Sequence, residues 1–328
     1  MATSPAQENA PVLAPDVGDP QDGDSTLGDE QSFLSSDSLA SSILRYREIN
    51  GRTYHNLRGP GNYYGANDEK QKNTIDLQHH VLTLALEGKL HLAPLPDTVG
   101  KVVDVGTGTG IWAIDFGDAH PEATVTGFDL SPIQPSLVDD FLLDWTFEEN
   151  SLDFVYMRWL VGCVPDWAEL CKNAYRCLKP GGWIESFDSN GYYLSDDGSV
   201  KEGTAIFQYG EFFRLGAEKI GLKASFHVVR DELQRKGMEA AGFVNIHEKN
   251  IKVPGSEWPR DPKQKEIGMF AQAAVDDIEG LVSLMATELG WTPAEITVMA
   301  AKMRRELRDP NIHPHYVSKA VWAQKPVV

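Results

Sequence analysis

Hydrophobic and polar residues follow one another in a pattern that predicts alternating strands and helices. Short apolar, β-branched runs at 102–105, 123–128, 152–156 and 183–187 are typical of buried parallel strands. The stretch 73–87 has apolar residues at helical spacing and predicts an amphipathic helix. The pattern therefore favours an α/β fold with a mostly parallel sheet and helices on both faces.

Further elements follow from the same periodicities. A short helix is predicted to begin with Ile43, Leu44, Tyr46 and Ile49. A strand is predicted at 244–251. Two helices are expected near 263–289 and 293–308, the second with a Thr-Pro-x-Glu start.

The first predicted strand ends in a glycine-rich turn. Asp104-Val-Gly106-Thr-Gly108-Thr-Gly110 leads directly into an apolar segment that is typical of a helix. Glycines let the backbone turn sharply and let a ligand approach without a Cβ in the way. Asp129 ends the second strand, 19 residues past Gly110, and is placed to hold the two hydroxyls of a ribose.

The spacing of the glycines distinguishes two ligand classes. A dinucleotide site has Gly-x-Gly-x-x-Gly, whereas here the third glycine comes one residue early and Ile111 stands in its place. Asp104 would repel a pyrophosphate but suits a cationic amino group, such as that of S-adenosylmethionine. The turn therefore favours S-adenosylmethionine.

These residues resemble the class I methyltransferases, and within them the LaeA-like family of fungi. The glycine turn, the segment 126–135, the upstream runs 67–80 and 89–94, and a Leu-Lys-Pro-Gly-Gly turn at 178–182 carry the resemblance, which covers about residues 45–326. It implies a Rossmann-like fold whose last strand, at 316–324, is antiparallel. The implied cofactor residues are Asp104, Gly106, Thr107, Gly108, Gly110, Asp129, Leu130, Asp139, Asp140 and Phe141.

The segment after Asp129 departs from the family pattern. Only 24 positions separate Asp129 from Asp153, so the third strand is expected to be shortened or missing. Asp139 and Asp140 followed by Phe141 resemble the site that holds the adenine amino group and flanks its ring. The short segment puts those adenine contacts in doubt.

Composition narrows the function further. A net charge of −18 argues against a dedicated nucleic-acid binder and against binding to an anionic membrane. Three cysteines fit no zinc pattern and no disulfide framework, and Cys171 and Cys177 are expected to pack as apolar groups. We expect no metal site, no membrane span and an intracellular location, either cytoplasmic or nuclear.

The chain divides into a tail and one domain. Residues 1–40 contain eight acids and no Lys or Arg, and their composition predicts disorder. Residues 41–328 are expected to form the methyltransferase domain, with an N-terminal helical cap at 41–98 and helical inserts at 188–230 and 260–310. The tyrosines at 63 and 64 either cover the cofactor or pack the N-terminal helix onto the domain.

Three functions agree with this sequence. The first is a small-molecule methyltransferase of fungal secondary metabolism. The second is a nuclear regulator that resembles LaeA and acts with a velvet-type protein partner. The third is a relative that has lost cofactor binding. Methyl transfer from a sulfonium mainly needs alignment, and His80, His55 and Tyr54 are the candidates for residues near the reacting centre.

Overall fold

The fold was analysed on a computed structural model, which describes residues 46–55, 63–130, 137–138 and 140–327. The strands in these ranges are β1 (Arg47–Ile49), β2 (Arg52–Tyr54), β3 (Lys101–Val105), β4 (Thr124–Asp129), β5 (Leu137–Val138), β6 (Leu152–Arg158), β7 (Leu178–Ser189), β8 (Val244–Pro254) and β9 (His315–Gln324).

Seven of these strands form one sheet, in the order β5-β4-β3-β6-β7-β9-β8. Strands β3 to β7 pair in parallel, and β9 runs antiparallel to β7 and β8. This arrangement confirms the predicted fold class, a mostly parallel sheet with an antiparallel last strand.

Helices pack on the sheet and extend beyond it. Two of them, α1 (Glu69–Ala85) and α2 (Ile111–Ala119), flank the glycine turn. The others are α3 (Trp167–Cys177), α4 (Ala205–Ile220), α5 (Leu233–Ala241), α6 (Pro262–Ala274), α7 (Ile278–Glu288) and α8 (Pro293–Leu307). No helix in the described ranges is both long and apolar enough to cross a bilayer.

Several sequence predictions are corrected by the structure. Ile49 lies in a strand and not in a helix, because β1 and β2 form an antiparallel hairpin around Asn50 and Gly51, both with positive φ. The helix expected at 263–289 is two helices, α6 and α7.

The structure agrees with two other expectations. The Lys-Pro-Gly-Gly segment falls where the pairing of β7 with β6 shifts register, and Gly181 has a φ of +83°. The third strand of the methyltransferase pattern, expected to be shortened or missing, is the two-residue β5.

The centre of the sheet is buried on both faces, as its apolar runs predict. Val103, Val105 and Phe154 have no exposed surface. On one face, the ring of Trp112 from α2 stacks on Tyr156 of β6 at 3.9 Å between centroids and 5° between planes. This apolar face fixes the position of α2, and with it the glycine turn that precedes it.

Ion pairs hold the N-terminal hairpin to two helices. The guanidinium of Arg52 is almost fully buried and pairs with Asp68, the N-cap of α1, and with Asp277, the N-cap of α7. A second Arg52–Asp68 contact measures 2.8 Å from Nη2 to Oδ1. A single cation therefore joins the hairpin, the start of α1 and the start of α7.

A buried carboxylate ties the segment before β3 to the sheet. Glu185 of β7 has no exposed surface, and its Oε2 accepts the N–H groups of Leu92 and Ala93 at 2.8 and 2.6 Å. Burial raises the pKa of Glu185 to about 7, although these two hydrogen bonds lower it.

The raised pKa of Glu185 predicts a pH-dependent stability. The folded state holds this proton up to about pH 7, while an unfolded chain releases it near 4.5. The free energy of unfolding should therefore fall as the pH rises through this window, by up to about 1.4 kcal/mol per pH unit for one proton. Urea unfolding between pH 4.5 and 7.5 should show a smaller slope in Glu185→Gln than in the wild type. Equal slopes would contradict the assignment.

Candidate active site

The turn after β3 has a backbone that requires glycine. Gly106, Gly108 and Gly110 have φ of +68°, +57° and +80°. A Cβ on Gly106 would lie 2.8 Å from the Cδ2 atom of Leu160. The left-handed conformation and this close approach explain the glycine spacing.

Two carboxylates accept hydrogen bonds from the turn. The hydroxyl of Thr107 donates to Asp104 Oδ2 at 2.7 Å. The backbone N–H of Gly108 donates to Asp129 Oδ2 at 2.9 Å. The acids that the sequence analysis assigned to a ligand therefore also shape the turn.

Helix α1 is joined to the glycine turn by a hydrogen bond. Asp76 Oδ1 accepts the hydroxyl of Thr109 at 2.6 Å. His79 lies one turn later and is 4% exposed; its Nε2 is 2.8 Å from Asp115 Oδ2, and its Nδ1 is 2.8 Å from Nη1 of Arg158. The histidine in this hydrogen-bond network is His79, and not its neighbour His80, which the sequence had suggested as a candidate.

The carboxyl group of Asp104 lies in an unusual environment. It is 3% exposed, and burial raises its pKa to about 6, while the Thr107 hydroxyl and the charge of Arg158 lower it. Desolvation disfavours an ionised carboxylate that is not fully compensated. A cation that enters the site would stabilise the ionised form.

A cavity opens beside the turn, at the carboxyl ends of β3, β4 and β6. In open α/β sheets, ligands bind at this edge. Part of its lining comes from β3 and the turn after it, from α1 and the residues just before it, and from the ends of β4 and β6 and the segments that follow them. These include Asn67, Gln71, Gln78, Asp104, Gly106, Thr107, Gly108, Asp129, Leu130, Phe141 and Arg158.

Aromatic side chains also line this cavity. They come from the loop before α1, from the segment after β7, from α4, from the segment after α4 and from β9: Tyr63, Tyr64, Tyr192, Tyr193, Tyr209, Phe213, Phe226 and Tyr316. Tyr64 packs edge-on against Phe213 and Phe226 at 5.6 and 4.9 Å between centroids. The tyrosines at 63 and 64 thus line the cavity and also pack against the core.

The three candidates for the reacting centre lie outside the cavity lining. The hydroxyl of Tyr54 donates to the carbonyl of Gly280 at 3.3 Å and is buried in a separate cluster. His80 is exposed and packs edge-on against Phe270 of α6. His55 is buried against two tyrosines, where burial lowers its pKa and the charge of Asp129 raises it.

The predicted adenine segment is only partly described. Asp139 lies outside the described residues. Asp140 is not part of the lining, and its Oδ1 accepts the N–H of Leu142 at 3.0 Å. Phe141 does line the cavity, as does Leu130, whereas Gly110 starts α2 as its N-cap.

The end of β6 and the segment that follows it contribute residues that were not among the site residues expected from the sequence. Arg158 is partly buried and lines the cavity. Trp159 has a φ of +56°, and its buried indole N–H has no hydrogen-bond partner among the described residues. Asp188 holds this segment by accepting the N–H of Leu160 at 2.9 Å. The one sequence signal was their position at the end of a parallel strand.

Comparisons with known proteins agree with this geometry. Residues 77–248 match the family model described as "Methyltransferase domain". Methyltransferase pytC of Aspergillus terreus is 36% identical over 300 residues, with 88% of this chain and 91% of that protein covered. The chain belongs to the LaeA-like methyltransferases. It is therefore an S-adenosylmethionine-dependent methyltransferase of class I.

Other relatives of this methyltransferase carry different names. Secondary metabolism regulator LAE1 of Cochliobolus heterostrophus is 33% identical, over 84% of this chain and 93% of that protein. Protein-methionine methyltransferase laeA of Emericella nidulans is 30% identical, over 86% and 77%. Among solved structures, Haemonchus contortus phosphoethanolamine N-methyltransferase 2 is 16% identical with a TM-score of 0.48, over 90% of this chain and 74% of that chain.

The cavity of this methyltransferase fits the cofactor of its family. The glycines of the turn present bare backbone to the cavity, and a buried acid, Asp104, is hydrogen-bonded to Thr107 of the turn. Asp129 lies at the tip of the neighbouring strand. Among the residues that the structure describes, no group of three or more His, Cys, Asp or Glu is arranged to hold a metal ion.

The backbone of the turn predicts the effect of an added methyl group. Gly106→Ala places a Cβ at positive φ and against Leu160, so it should lower the free energy of unfolding by about 1–2 kcal/mol. Gly117→Ala in α2 is a matched control, because φ there is not positive and the new Cβ would meet none of the described atoms within 4 Å. Thermal unfolding should show a lower Tm for Gly106→Ala and an equal or higher Tm for the control. An unchanged Tm in both variants would contradict this turn geometry.

Proposed function

We propose that this methyltransferase methylates a small acceptor with an apolar, aromatic or conjugated body. One observation carries the proposal: the same cavity is lined both by the glycine turn and by aromatic rings. Ligand sites with an apolar wall and few polar groups suit small organic molecules. Aromatic rings prefer offset-stacked or edge-on contact with other rings.

The residues around the glycine turn would bind the cofactor. Asp104 would pair with the amino group of its methionyl part, and Asp129 would accept the ribose hydroxyls. Phe141 would flank the adenine ring. When bound, S-adenosylmethionine supplies an activated methyl group on a sulfonium.

The protein then contributes mainly by alignment. The aromatic rings of the lining hold the acceptor, and Tyr63 and Tyr64 help to exclude water. The acceptor atom is thereby held in line with the transferable methyl group. Cys163 also lines the cavity, but burial raises the pKa of its thiol far above its usual value, so it does not act as a thiolate nucleophile.

The relatives support a place in fungal secondary metabolism. Several of them, LAE1 of Cochliobolus heterostrophus among them, are named secondary metabolism regulators, which supports a second candidate function: regulation through protein partners, of the velvet type in the nucleus. A pulldown from a fungal lysate that retrieves velvet-type proteins would favour the second candidate. Methylation of small aromatic acceptors by the purified chain, with no stable protein partner, would favour the first.

The ionisation of Asp104 predicts how ligand binding depends on pH. Its pKa is about 6, and only the ionised form attracts an ammonium group. The affinity for S-adenosylhomocysteine should therefore fall below pH 6, by up to about tenfold per pH unit. Calorimetric titration between pH 5 and 8 should show this fall in the wild type.

The matched variant is Asp104→Asn, which keeps the size of the side chain and removes its charge. It should bind more weakly at pH 8 and lose the pH dependence. A pH dependence that survives in Asp104→Asn would assign the titration to another group. Absence of binding by the wild type at every pH would refute the proposed function.

Two neighbouring phenylalanines of α4 separate acceptor binding from folding. Phe213 lines the cavity, whereas Phe212 is buried against Trp291. Phe213→Leu should raise the KM for an aromatic acceptor by about tenfold, since it removes one ring contact of about 1 kcal/mol or more. Phe212→Leu should lower Tm and leave that KM unchanged. If both variants change KM equally, the assignment of Phe213 to acceptor binding is wrong.

A further inference from the structure

Two residues of opposite charge, Asp104 and Arg158, line the cavity. Asp104 is on β3 and Arg158 is at the end of the adjacent parallel strand, two residues beyond Tyr156, which is in register with Asp104. Both side chains line the cavity, and the charge of Arg158 lowers the pKa of Asp104. Within the described ranges, no ion pair joins these two side chains. The pair therefore presents one negative and one positive group to the same ligand.

Arg158 is held in place by a relay from two helices. Its Nη1 donates to Nδ1 of His79, which leaves Nε2 of that ring to donate to Asp115. Burial lowers the pKa of His79, and so does the charge of Arg158, which keeps the imidazole neutral and able to accept at Nδ1. This tautomer follows from the hydrogen-bond partners.

The guanidinium retains capacity for a ligand. Arginine has five N–H donors in a planar fork, and the contacts of Arg158 to His79 and to the hydroxyl of Tyr156 occupy only part of them. Such a fork matches a carboxylate in two-point geometry, which a lysine cannot provide. A fixed fork beside a buried acid suits a zwitterion, that is, an α-amino acid group.

We propose that Arg158, positioned by His79 and Asp115, binds the carboxylate of the methionyl part of S-adenosylmethionine while Asp104 binds its amine. This inference rests on the proposed function, because it assigns the same site. It makes Arg158 a cofactor-binding residue. Asp115 and His79 act through Arg158 and are positioning residues.

The experiment compares two ligands that differ only in the carboxylate. Calorimetric titration with S-adenosylmethionine and with decarboxylated S-adenosylmethionine isolates that group. The wild type should prefer the carboxylated ligand by about tenfold to a hundredfold, as expected for a charge-assisted two-point contact. Arg158→Met should abolish the preference: its affinity for S-adenosylmethionine falls, and its affinity for the decarboxylated ligand changes less than about twofold. Arg158→Lys should recover part of the preference.

The hydrogen-bond chain from Asp115 through His79 to Arg158 is tested by variants at His79 and at its neighbour His80. His79→Phe removes the acceptor for Arg158 and should reduce the preference about threefold to tenfold, whereas His79→Gln, which can accept and donate, should restore most of it. His80→Phe is the matched control, because His80 is exposed and contacts α6, and it should leave both affinities unchanged. The effect of His79→Phe should vanish in the Arg158→Met background.

The outcomes separate this inference from the proposed function. If the wild type binds neither ligand, the proposed function fails. If it binds both and Arg158→Met weakens them equally, or weakens neither, the assignment of the carboxylate to Arg158 is wrong. If Arg158→Met binds both ligands normally but has a raised KM for an anionic acceptor, Arg158 binds the acceptor and not the cofactor, and the inference is wrong.

Discussion

The site depends on one constraint: a glycine turn with left-handed backbone must be held over a buried carboxylate. Asp104 is deprived of water by the strands on either side, and the hydroxyl of Thr107 is its direct hydrogen-bond partner in the turn. Burying a carboxylate is unfavourable unless it is compensated. Burial raises the pKa of Asp104 although Thr107 and Arg158 lower it, and a cationic ligand group would stabilise the ionised form further.

Helix α1 transmits this constraint to the rest of the domain. Its N-cap, Asp68, joins Arg52 of the hairpin, and Asp76 holds Thr109 of the turn. One turn later, His79 orients Arg158 at the end of β6. A helix that looks like a simple amphipathic packing element thus connects three parts of the chain that are far apart in sequence, and each connection is a hydrogen bond or ion pair that is at least partly shielded from water.

The polar and the aromatic residues that line the cavity differ in what they offer a ligand. The polar residues present a few fixed charged and backbone groups, which specify orientation. The aromatic rings come from several separate segments and give contact area with little directional demand.

The sequence determined the strand–turn–helix corner, the parallel strands around it and the acids at 104 and 129, since these are local: buried strands need continuous apolar runs, and a left-handed turn needs glycine. It misjudged features that depend on distant packing. Helical spacing leaves His79 and His80 nearly equivalent, and only the contacts of α2 and β6 on one side and α6 on the other decide which ring is buried. Likewise, Arg158 is a cavity residue because β6 ends beside the turn, and the segment at 47–54 forms a hairpin because Arg52 reaches carboxylates on two helices.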